Sequence, residues 1–306
     1  MPDGTASATR RRTKLLGTKA EVIKPRHPTV LLFGASGVGK TVFSTQFPDV
    51  YFIDSEGGAT QPEYRQRLHD SGALYLGPDD GAASFEVVLD QVRALATQRH
   101  DRRTLVIDSI TKLFANEIAR EAERLSDAGK KNEFGADKKP AVGQMRQLLS
   151  WLARINMNVV LIAGEVAEWG KDSTGERTQI GSTFDCWPRL EYELDLAVNV
   201  IKAGPKRLGR IRKSRLAAFP QGDTFEFSYD EFSNRIGADV IEAASEPVLC
   251  ATLEQLTEIT RLLDVVKLDE GTVEKWLAAA NVSAWDEMPE ERAGKAIEYL
   301  KGRIAA

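Results

Sequence analysis

The sequence predicts an α/β protein in which a mostly parallel sheet is flanked by helices and followed by a small C-terminal all-α module. Short apolar runs rich in β-branched residues alternate with segments of helical period between residues 29 and 240. This alternation is typical of a doubly wound sheet, because a parallel strand needs a crossover helix to return to the sheet. Beyond residue 240 only segments of helical period remain, which predicts the helical module.

The predicted strands and helices follow one another in the order that such a sheet requires. The first strand, Thr29–Phe33, is short and mostly apolar, and leads into a glycine-rich turn and a helix, as buried parallel strands do. Further strands are predicted at 50–53, 105–107, 159–162, 194–201 and 224–227. Helices are predicted at Phe85–Thr97, 110–125 and 142–155, and in the module at 253–266, 270–280 and 289–304. Two polar stretches, 127–139 and 167–188, interrupt the pattern and are interpreted as long functional loops.

Length and composition predict about two domains. The 306 residues are 42% hydrophobic and 28% charged, which suffices to bury sizeable cores. We expect a basic flexible tail at 1–28, an α/β core at 29–240 and a helical domain at 246–306. No apolar run reaches the ~18 residues of a membrane helix and no secretory signal is found, so we expect a cytoplasmic protein with no membrane partner. Two cysteines and three histidines argue against a disulfide framework and a zinc cluster.

Charge is segregated along the chain, although the net charge is only −4. Residues 1–28 hold seven basic and two acidic side chains, and residues 241–306 hold seven basic and 13 acidic ones. The stretch 199–215 holds seven cations and no acid. The net charge argues against a surface that coats nucleic acid, but the cation-rich stretch leaves room for a local anion site.

A phosphate-binding loop follows the first strand directly. Residues 34–41 read Gly-Ala-Ser-Gly-Val-Gly-Lys-Thr, which fits the pattern G-x-x-x-x-G-K-[ST] between a strand and a helix. Glycines let backbone N–H groups wrap a phosphate chain, Lys40 reaches the terminal phosphates, and the Thr41 hydroxyl ligates Mg²⁺. The predicted nucleotide contacts are Gly34, Ala35, Ser36, Gly37, Val38, Gly39, Lys40, Thr41 and Val42.

Two carboxylates at strand ends complete the predicted site. Asp108 ends the run Leu-Val-Ile-Asp, where a carboxylate can hold the water shell of Mg²⁺. Alone it would also fit a helix N-cap, and its pairing with the phosphate loop favours the metal role. Hydrolysis further needs a base for the attacking water. Glu56 is favoured over Asp54 because it lies beyond the strand end, where open α/β sheets bind ligands.

The order of these motifs resembles the RecA family of recombinases. That family has a phosphate loop, a water-activating glutamate after the second strand, and an aspartate at the end of the metal-binding strand. The resemblance covers residues 29–229 and implies a RecA-like P-loop NTPase core that binds ATP with Mg²⁺ and hydrolyses the ATP. The short tail and the run Ile-Asp-Ser-Glu-Gly-Gly most resemble the phage core-only recombinases, which are single-strand annealing ATPases of the Sak-four type.

The resemblance assigns roles to four further residues. Tyr64, in the run Pro-Glu-Tyr, is similar to the family's adenine-stacking tyrosine. Glu165 stands where the family has a glutamine that senses the γ-phosphate, which leaves its role open. Lys213 and Arg215 resemble basic residues that reach the nucleotide of the neighbouring subunit and stabilise transition-state charge, as arginine fingers do. A solvated basic hairpin is the alternative for these two cations.

DNA contact in RecA-like proteins is made by two loops that face the axis of a ring or filament, and the two polar stretches fall at those places. Cations suit phosphates and aromatic rings can stack on bases, although exposed linkers are the alternative. The arginines at 10–12 add either sequence-independent affinity or only solubility. The expected DNA contacts are Lys130, Lys131, Lys138 and Lys139 in the first stretch, and Lys171, Arg177, Gln179, Phe184 and Trp187 in the second.

Together these features predict an ATP-dependent protein that binds single-stranded DNA and promotes annealing or strand exchange. The subunits would form a ring or filament with nucleotide between neighbours, and such an assembly can confine positive charge to an inner face. A hexameric helicase or translocase on the same core is one alternative. A nucleotide-switched module that binds protein rather than DNA is another. Only the family resemblance suggests a single-strand-binding protein as partner of the helical domain.

Overall fold

The structure is a computed structural model that describes residues 26–132, 135–171, 173–280 and 282–304. The strands of the main sheet are β1 Thr29–Phe33, β2 Val50–Asp54, β3 Leu74–Leu76, β4 Thr104–Asp108, β5 Asn158–Ala163, β8 Leu196–Ala203, β9 Lys206–Ser214 and β10 Thr224–Glu226; a separate hairpin consists of β6 Glu165–Lys171 and β7 Arg177–Phe184. The helices are α1 Lys40–Ser44, α2 Pro62–Asp70, α3 Phe85–Thr97, α4 Ile110–Asp127, α5 Lys138–Leu152, α6 Leu190–Glu193, α7 Tyr229–Ile236, α8 Ala238–Ile241, α9 Leu253–Val265, α10 Thr272–Ala280 and α11 Glu290–Ile304.

The main sheet has the order β3-β2-β4-β5-β1-β8-β9-β10. The six strands from β3 to β8 are parallel, and β9 and β10 continue the sheet in antiparallel pairing. The central strand β1 pairs with β5 and β8 and is buried along its whole length. A mostly parallel sheet between helices, with a helical C-terminal part, confirms the predicted fold class.

Helices cover both faces of the sheet, as an apolar central strand requires. Along β1, Leu31 and Phe33 pack into the cluster that includes α3, α4 and α5. Val30 and Leu32 point to the other face and pack with α1, α2 and α7. Because side chains alternate along a strand, one short apolar run supplies both cores.

The three C-terminal helices α9, α10 and α11 build a small core of their own. Ile259, Met288 and Ala293 are its buried centre. The helices attach to the α/β part through polar contacts, one of which is the bond from Arg154 Nη1 to the carbonyl oxygen of Glu287 at 2.9 Å. None of the helices in the four described ranges is long and apolar enough to cross a bilayer.

The interpretation of 167–188 as a loop is wrong for most of its length. It forms the antiparallel hairpin β6–β7, in which Glu165 pairs with Phe184 and Lys171 with Arg177. Most side chains on both strands are exposed or only half-buried, so the hairpin lacks the alternation of apolar and polar residues that reveals a strand in a sequence. The first polar stretch is shorter than expected, because α4 runs to Asp127 and α5 begins at Lys138.

Residues 26–28, predicted as the end of the tail, pack against the sheet. His27 is buried beside Asn158, and the carbonyl oxygen of Pro28 accepts a bond from the amide of Val159. The remainder of the predicted tail, including the arginines at 10–12, lies outside the described residues.

Asp195 ties the start of β1 to the segment that leads into β8. Its carboxylate is buried and accepts bonds from the amide of Thr29 at 3.1 Å and from the Thr29 hydroxyl at 2.8 Å, with Arg26 at 3.1 Å on the other oxygen. Burial alone would raise the pKa of Asp195, but the Thr29 hydrogen bonds and the Arg26 guanidinium outweigh it and hold the pKa below its ordinary value.

We expect Asp195→Ala to lower the free energy of unfolding by about 2 kcal/mol at pH 7, because two buried donors lose their acceptor. Urea unfolding would measure it, with exposed Asp127→Ala as the matched control. A carboxyl group with a lowered native pKa stabilises the fold above its unfolded pKa of about 3.9. The difference between wild type and variant should therefore hold at neutral pH and shrink as the pH falls through the native pKa. A difference that grows in acid would contradict this role.

Candidate functional site

A cavity of about 330 Å³ opens where the carboxyl ends of β1, β2, β4 and β5 meet at one edge of the sheet. Open α/β sheets bind ligands at this edge, because the loops after parallel strands converge there. The cavity is lined by Gly34, Ala35, Ser36, Gly37, Gly39, Lys40, Thr41, Glu56, Tyr64, Asp108, Ser109, Ile162, Ala163, Gly164 and Glu165. Most of the predicted nucleotide contacts are thus brought together.

Two glycines of the phosphate loop occupy positions that disfavour any residue with a side chain. At Gly34 a Cβ atom would lie 2.3 Å from the carbonyl oxygen of Val200 in the neighbouring strand. Gly39 has a φ of 99°, in the left-handed region that favours glycine, and directly precedes α1. The loop is therefore set by backbone geometry. Val38 turns its side chain into the core and does not line the cavity.

Lys40 folds back over the loop. Its Nζ atom donates to the carbonyl oxygens of Gly34 at 2.6 Å and Ala35 at 2.9 Å. Burial lowers the pKa of Lys40, and the carboxylates of Asp108, Glu165 and Glu56 partly offset that effect. The ammonium group therefore sits in a partly desolvated cavity, where its attraction to an anion is stronger than in water.

Thr41 and Asp108 form the pair expected to hold a cation. The Thr41 hydroxyl donates to Asp108 Oδ2 at 2.6 Å. Burial raises the pKa of Asp108 to about 6; the carboxylates of Glu56 and Asp54 add to the rise, and the Thr41 hydrogen bond opposes it. A carboxyl oxygen and a hydroxyl oxygen are hard ligands of the kind that Mg²⁺ takes together with water and phosphate oxygens. The donor set therefore fits Mg²⁺.

No group of three or more metal-ligating His, Cys, Asp or Glu side chains occurs in the described ranges. A P-loop site does not need one. In such sites the protein supplies few ligands and the nucleotide phosphates supply the rest.

The two carboxylates that follow β2 have different surroundings. Asp54 is 1% exposed and accepts bonds from the backbone amides of residues 56, 57, 58 and 59 and from the hydroxyl of Tyr75. It holds the loop and has no free oxygen for a water molecule. Glu56 faces the cavity, where its Oε1 atom accepts a bond from the Ser109 hydroxyl. Of the two, only Glu56 is placed to meet a ligand.

Ser109 also lines the cavity, and the sequence reasoning did not select it. Its hydroxyl donates to Glu56 and also caps the N-terminus of α4, where it accepts a bond from the amide of Lys112 at 3.2 Å. Its amide donates to Ser55 Oγ at 2.9 Å. The only sequence feature that indicates it is its place directly after Asp108, between a strand and a helix.

Glu165 and Tyr64 also lie at the cavity. Glu165 is the first residue of β6, and its Oε2 atom accepts a bond from the Ser182 hydroxyl on β7 at 3.0 Å. The hairpin therefore starts inside the cavity. Tyr64 is half-buried in the first turn of α2, where it packs against the apolar cluster on that face of the sheet.

A second cavity of about 240 Å³ adjoins the phosphate loop on the side of α1. It shares Gly39 with the first cavity and is lined by Val42, Phe43, Arg207 and Tyr229, among others. The Arg207 side chain approaches so closely that a Cβ at Gly39 would lie 3.0 Å from its Nε atom. Arg207 was not singled out from the sequence, because it stands within a run of seven cations.

Lys213 and Arg215 lie away from the first cavity, which the phosphate loop lines. Strand β9 runs antiparallel to β8, so Lys213 pairs with Ala197, at the edge of the sheet opposite the cavity. Their side chains bind backbone carbonyl oxygens, Lys213 that of Leu194 and Arg215 that of Tyr192. Neither cation can therefore serve the nucleotide cavity of its own chain.

The residues expected to contact DNA are distributed over several environments. Lys171, Arg177 and Gln179 are exposed on the hairpin, and Lys130, Lys131, Lys138 and Lys139 are exposed around the gap between α4 and α5. Phe184 is 4% exposed and packs edge-on against Phe33 at 5.9 Å, so it presents no face to a base. Trp187 is half-buried against the same core.

Trp169 is an exposed aromatic residue on the hairpin that the sequence reasoning did not select. Its side chain is 53% exposed, and the guanidinium of Arg177 lies 4.9 Å from its ring centre. Ile180 on the facing strand is 61% exposed. An aromatic face beside a cation is the combination on which single-stranded nucleic acid stacks.

Comparisons with known proteins give one family match and structural matches. A family model described as an AAA domain matches residues 26–217. A comparison with curated proteins finds no match. Among solved structures, one titled "Crystal structure of the RadB recombinase" is 17% identical, covers 67% of this chain and 90% of that chain, and has a TM-score of 0.43. The family match runs from just before β1 to just after β9 and includes all residues that line the first cavity.

We expect Asp54→Ala to lower the free energy of unfolding by about 3 kcal/mol, because four backbone amides and a tyrosine hydroxyl lose a buried acceptor. Glu56→Gln should stay within about 0.5 kcal/mol of wild type, since the amide oxygen can still accept from Ser109. Urea unfolding compares the two, with the exposed Asp79→Ala as control. Equal stability losses at positions 54 and 56 would contradict the division of roles.

Proposed function

The chain belongs to the AAA domain family, and from this premise we propose that it is an ATP-dependent recombinase that binds single-stranded DNA. The observation that carries the proposal is the arrangement of Lys40, the Thr41–Asp108 pair and Glu56 around one cavity. The subtype we propose is the phage core-only recombinase, which promotes annealing or strand exchange. The subunits assemble into a ring or filament with nucleotide between neighbours.

The chemistry of the cavity supports ATP hydrolysis. Backbone amides of the loop and the Lys40 ammonium bind the phosphates, and Thr41 with Asp108 holds Mg²⁺, which neutralises phosphate charge when bound. Glu56 accepts a proton from the attacking water as general base. Ser109 positions this base, since its hydroxyl holds one oxygen of Glu56 and leaves the other for the water.

The two cations at the opposite edge of the sheet support intersubunit sites. Lys213 and Arg215 lie far from their own cavity, so the role that the RecA resemblance implies for them requires a neighbouring subunit. Arg215 is exposed at this edge. In a head-to-tail assembly it would reach the phosphates bound by the next chain and stabilise the charge of the transition state.

DNA binding is proposed for the hairpin, together with the exposed lysines near α5. Trp169 offers a ring for stacking, and Lys171 and Arg177 offer charges for phosphates. The hairpin begins at Glu165 inside the nucleotide cavity. A nucleotide in the cavity would therefore touch the first residue of the hairpin, which supports stimulation of ATP turnover by DNA.

The ATPase rate with and without single-stranded DNA tests the nucleotide part of the proposal. We expect DNA to stimulate the wild-type rate. Lys40→Ala should lose phosphate binding, and Glu56→Gln should lose about 10²- to 10⁴-fold in turnover because the base is gone. Arg215→Ala should lower ATP turnover at least about 10²-fold. Mixing this variant with Glu56→Gln should restore some turnover, because a mixed assembly contains sites in which an intact Glu56 of one subunit meets an intact Arg215 of its neighbour.

The variants at Glu56 and Arg215 each have a matched control nearby in the chain. Glu63→Gln in α2 and Arg210→Ala on β9 change exposed side chains outside the cavity and should keep the wild-type rate. Normal hydrolysis by Glu56→Gln would exclude it as the base and leave Glu165 as the next carboxylate in the cavity. A silent Arg215→Ala would place the intersubunit contact elsewhere.

Binding to oligothymidylate tests the hairpin. We expect Trp169→Ala to weaken binding about tenfold, since stacking of one base contributes about 1–3 kcal/mol. Lys171→Gln with Arg177→Gln should weaken it further and flatten its dependence on salt. Leu74→Ala, an exposed apolar residue on β3, is the control. If the hairpin variants bind oligothymidylate as the wild type does, and if DNA does not change the wild-type ATPase rate, a module that binds protein is favoured instead. If the wild type uses ATP to separate strands but does not anneal them, a helicase is favoured.

A further inference from the structure

A pocket with aromatic walls opens on the surface of the C-terminal helices, apart from the nucleotide cavity. Its volume is about 250 Å³ and its lining is almost entirely apolar. Trp276 packs edge-on against Trp285 at 6.2 Å and against Tyr299 at 5.3 Å. Edge-to-face pairs of this kind are favourable and hold the rings in place. The result is a preformed concave site rather than a flat stacking platform.

The helices leave this pocket open instead of filling it with their own core. Met288 at its base is 2% exposed, whereas Tyr299 at its rim is 49% exposed. A cavity of about 150 Å³ is enough to hold benzene. The pocket therefore has room for one bulky apolar side chain of another molecule.

The charged side chains that line the pocket are both positive, although the surrounding sequence is mostly acidic. Residues 241–306 hold 13 acidic and seven basic side chains, yet the charged residues that line the pocket are Arg292 and Lys295. The Arg292 Nη1 atom is fixed by the carbonyl oxygen of Ala279 at 2.8 Å. Lys295 makes an exposed ion pair with Glu291, which is worth little and can exchange for another carboxylate.

Most of the pocket lies apart from the α/β core. The helical part meets the core through residues of the 283–287 segment: Asp286 pairs with Arg93, and Ser283 accepts a bond from Gln147 at 3.0 Å. Trp285 belongs to that segment, whereas Trp276, Tyr299 and Lys295 stand on α10 and α11, outside it.

We propose that this pocket docks a peptide segment of a partner protein that presents one bulky apolar side chain next to carboxylates. The apolar side chain enters the pocket between the aromatic rings, and Arg292 and Lys295 bind the carboxylates. Residues 1–25 of this chain are a poor occupant, because they hold six basic and two acidic side chains. Single-stranded DNA is also a poor one, since its row of phosphates would run along an acidic module. The proposal does not depend on the ATPase function.

Fluorescence anisotropy with the full chain tests the docking. The probe is a labelled peptide, Gly-Ser-Asp-Asp-Leu-Phe with a free C-terminal carboxylate. We expect saturable binding that is weakened at least about tenfold when Leu and Phe are replaced by Ser, or when both Asp are replaced by Lys. Binding that is absent up to about 1 mM, or that ignores either replacement, would overturn the proposal.

Variants place the binding at this pocket. Lys295→Glu reverses one rim charge, and Ala279→Leu fills the pocket from an exposed position on α10. Both should weaken the peptide at least about tenfold while the ATPase rate and the far-ultraviolet circular dichroism stay at wild-type values. Lys267→Glu, an exposed cation outside the pocket, controls for net charge and should bind normally. Unchanged affinity in both pocket variants would overturn the proposal.

The same variants distinguish the other occupants. If Lys295→Glu and Ala279→Leu lose oligothymidylate instead of the peptide, the pocket is a nucleic-acid site and the proposal is wrong. If Ala279→Leu instead changes the oligomeric state in sedimentation velocity and the wild type ignores the peptide, the occupant is a second copy of the chain and the proposal is equally wrong.

Discussion

The hydrogen bond from Thr41 to Asp108 links the start of α1 to the end of β4, across the intervening strand β5. The rest of the cavity depends on this link. Lys40 directly precedes Thr41, and Ser109 directly follows Asp108 and holds Glu56. Lys40, the Thr41–Asp108 pair and Glu56, for which we propose phosphate binding, cation binding and base catalysis, are therefore positioned relative to one another by neighbours along the chain and by short hydrogen bonds. Flexible side chains alone would not fix such an arrangement.

The hairpin β6–β7 is joined to the core at two places. At its base, Phe184 of β7 packs edge-on against Phe33 of β1, and Glu165 at the start of β6 lines the cavity. On its flank, Arg212 of β9 makes two bonds of 3.0 Å to Glu168 and a further one of 3.0 Å to Glu191 on α6. A bidentate arginine pair of this geometry holds orientation better than a single ion pair. The cavity, the hairpin and the strand β9 are thus connected by direct contacts.

Features set by local sequence were predictable, and features set by distant contacts were not. The strand Thr29–Phe33 and the helix Phe85–Thr97 have the predicted bounds, because apolar runs and helical periods specify them locally. The strand β9 was missed because exposed cations conceal its alternation. The choice of Phe184 as a stacking residue failed because its burial depends on Phe33, which is 151 residues earlier in the chain.

The same contrast applies to the cavity. Residues 34–41 carry a fixed pattern, so the loop and its lysine could be placed from the sequence alone. The separation of Asp54 from Glu56 could be anticipated from strand ends, but the five donors that occupy Asp54 come from the loop geometry and from Tyr75 on the next strand. Ser109 and Arg207 were missed because their roles depend on which backbone segments approach each other in space.

The direction of β9 constrains how subunits can assemble under the proposed function. Because this strand is antiparallel to β8, its first residues lie beside the phosphate loop, where Arg207 approaches Gly39. Its last residues bring Lys213 and Arg215 to the opposite edge of the sheet. A nucleotide shared between subunits then requires the opposite edge of one chain to meet the cavity edge of the next. Such contacts join two different surfaces, so they repeat from chain to chain and produce rings or filaments rather than two-fold dimers.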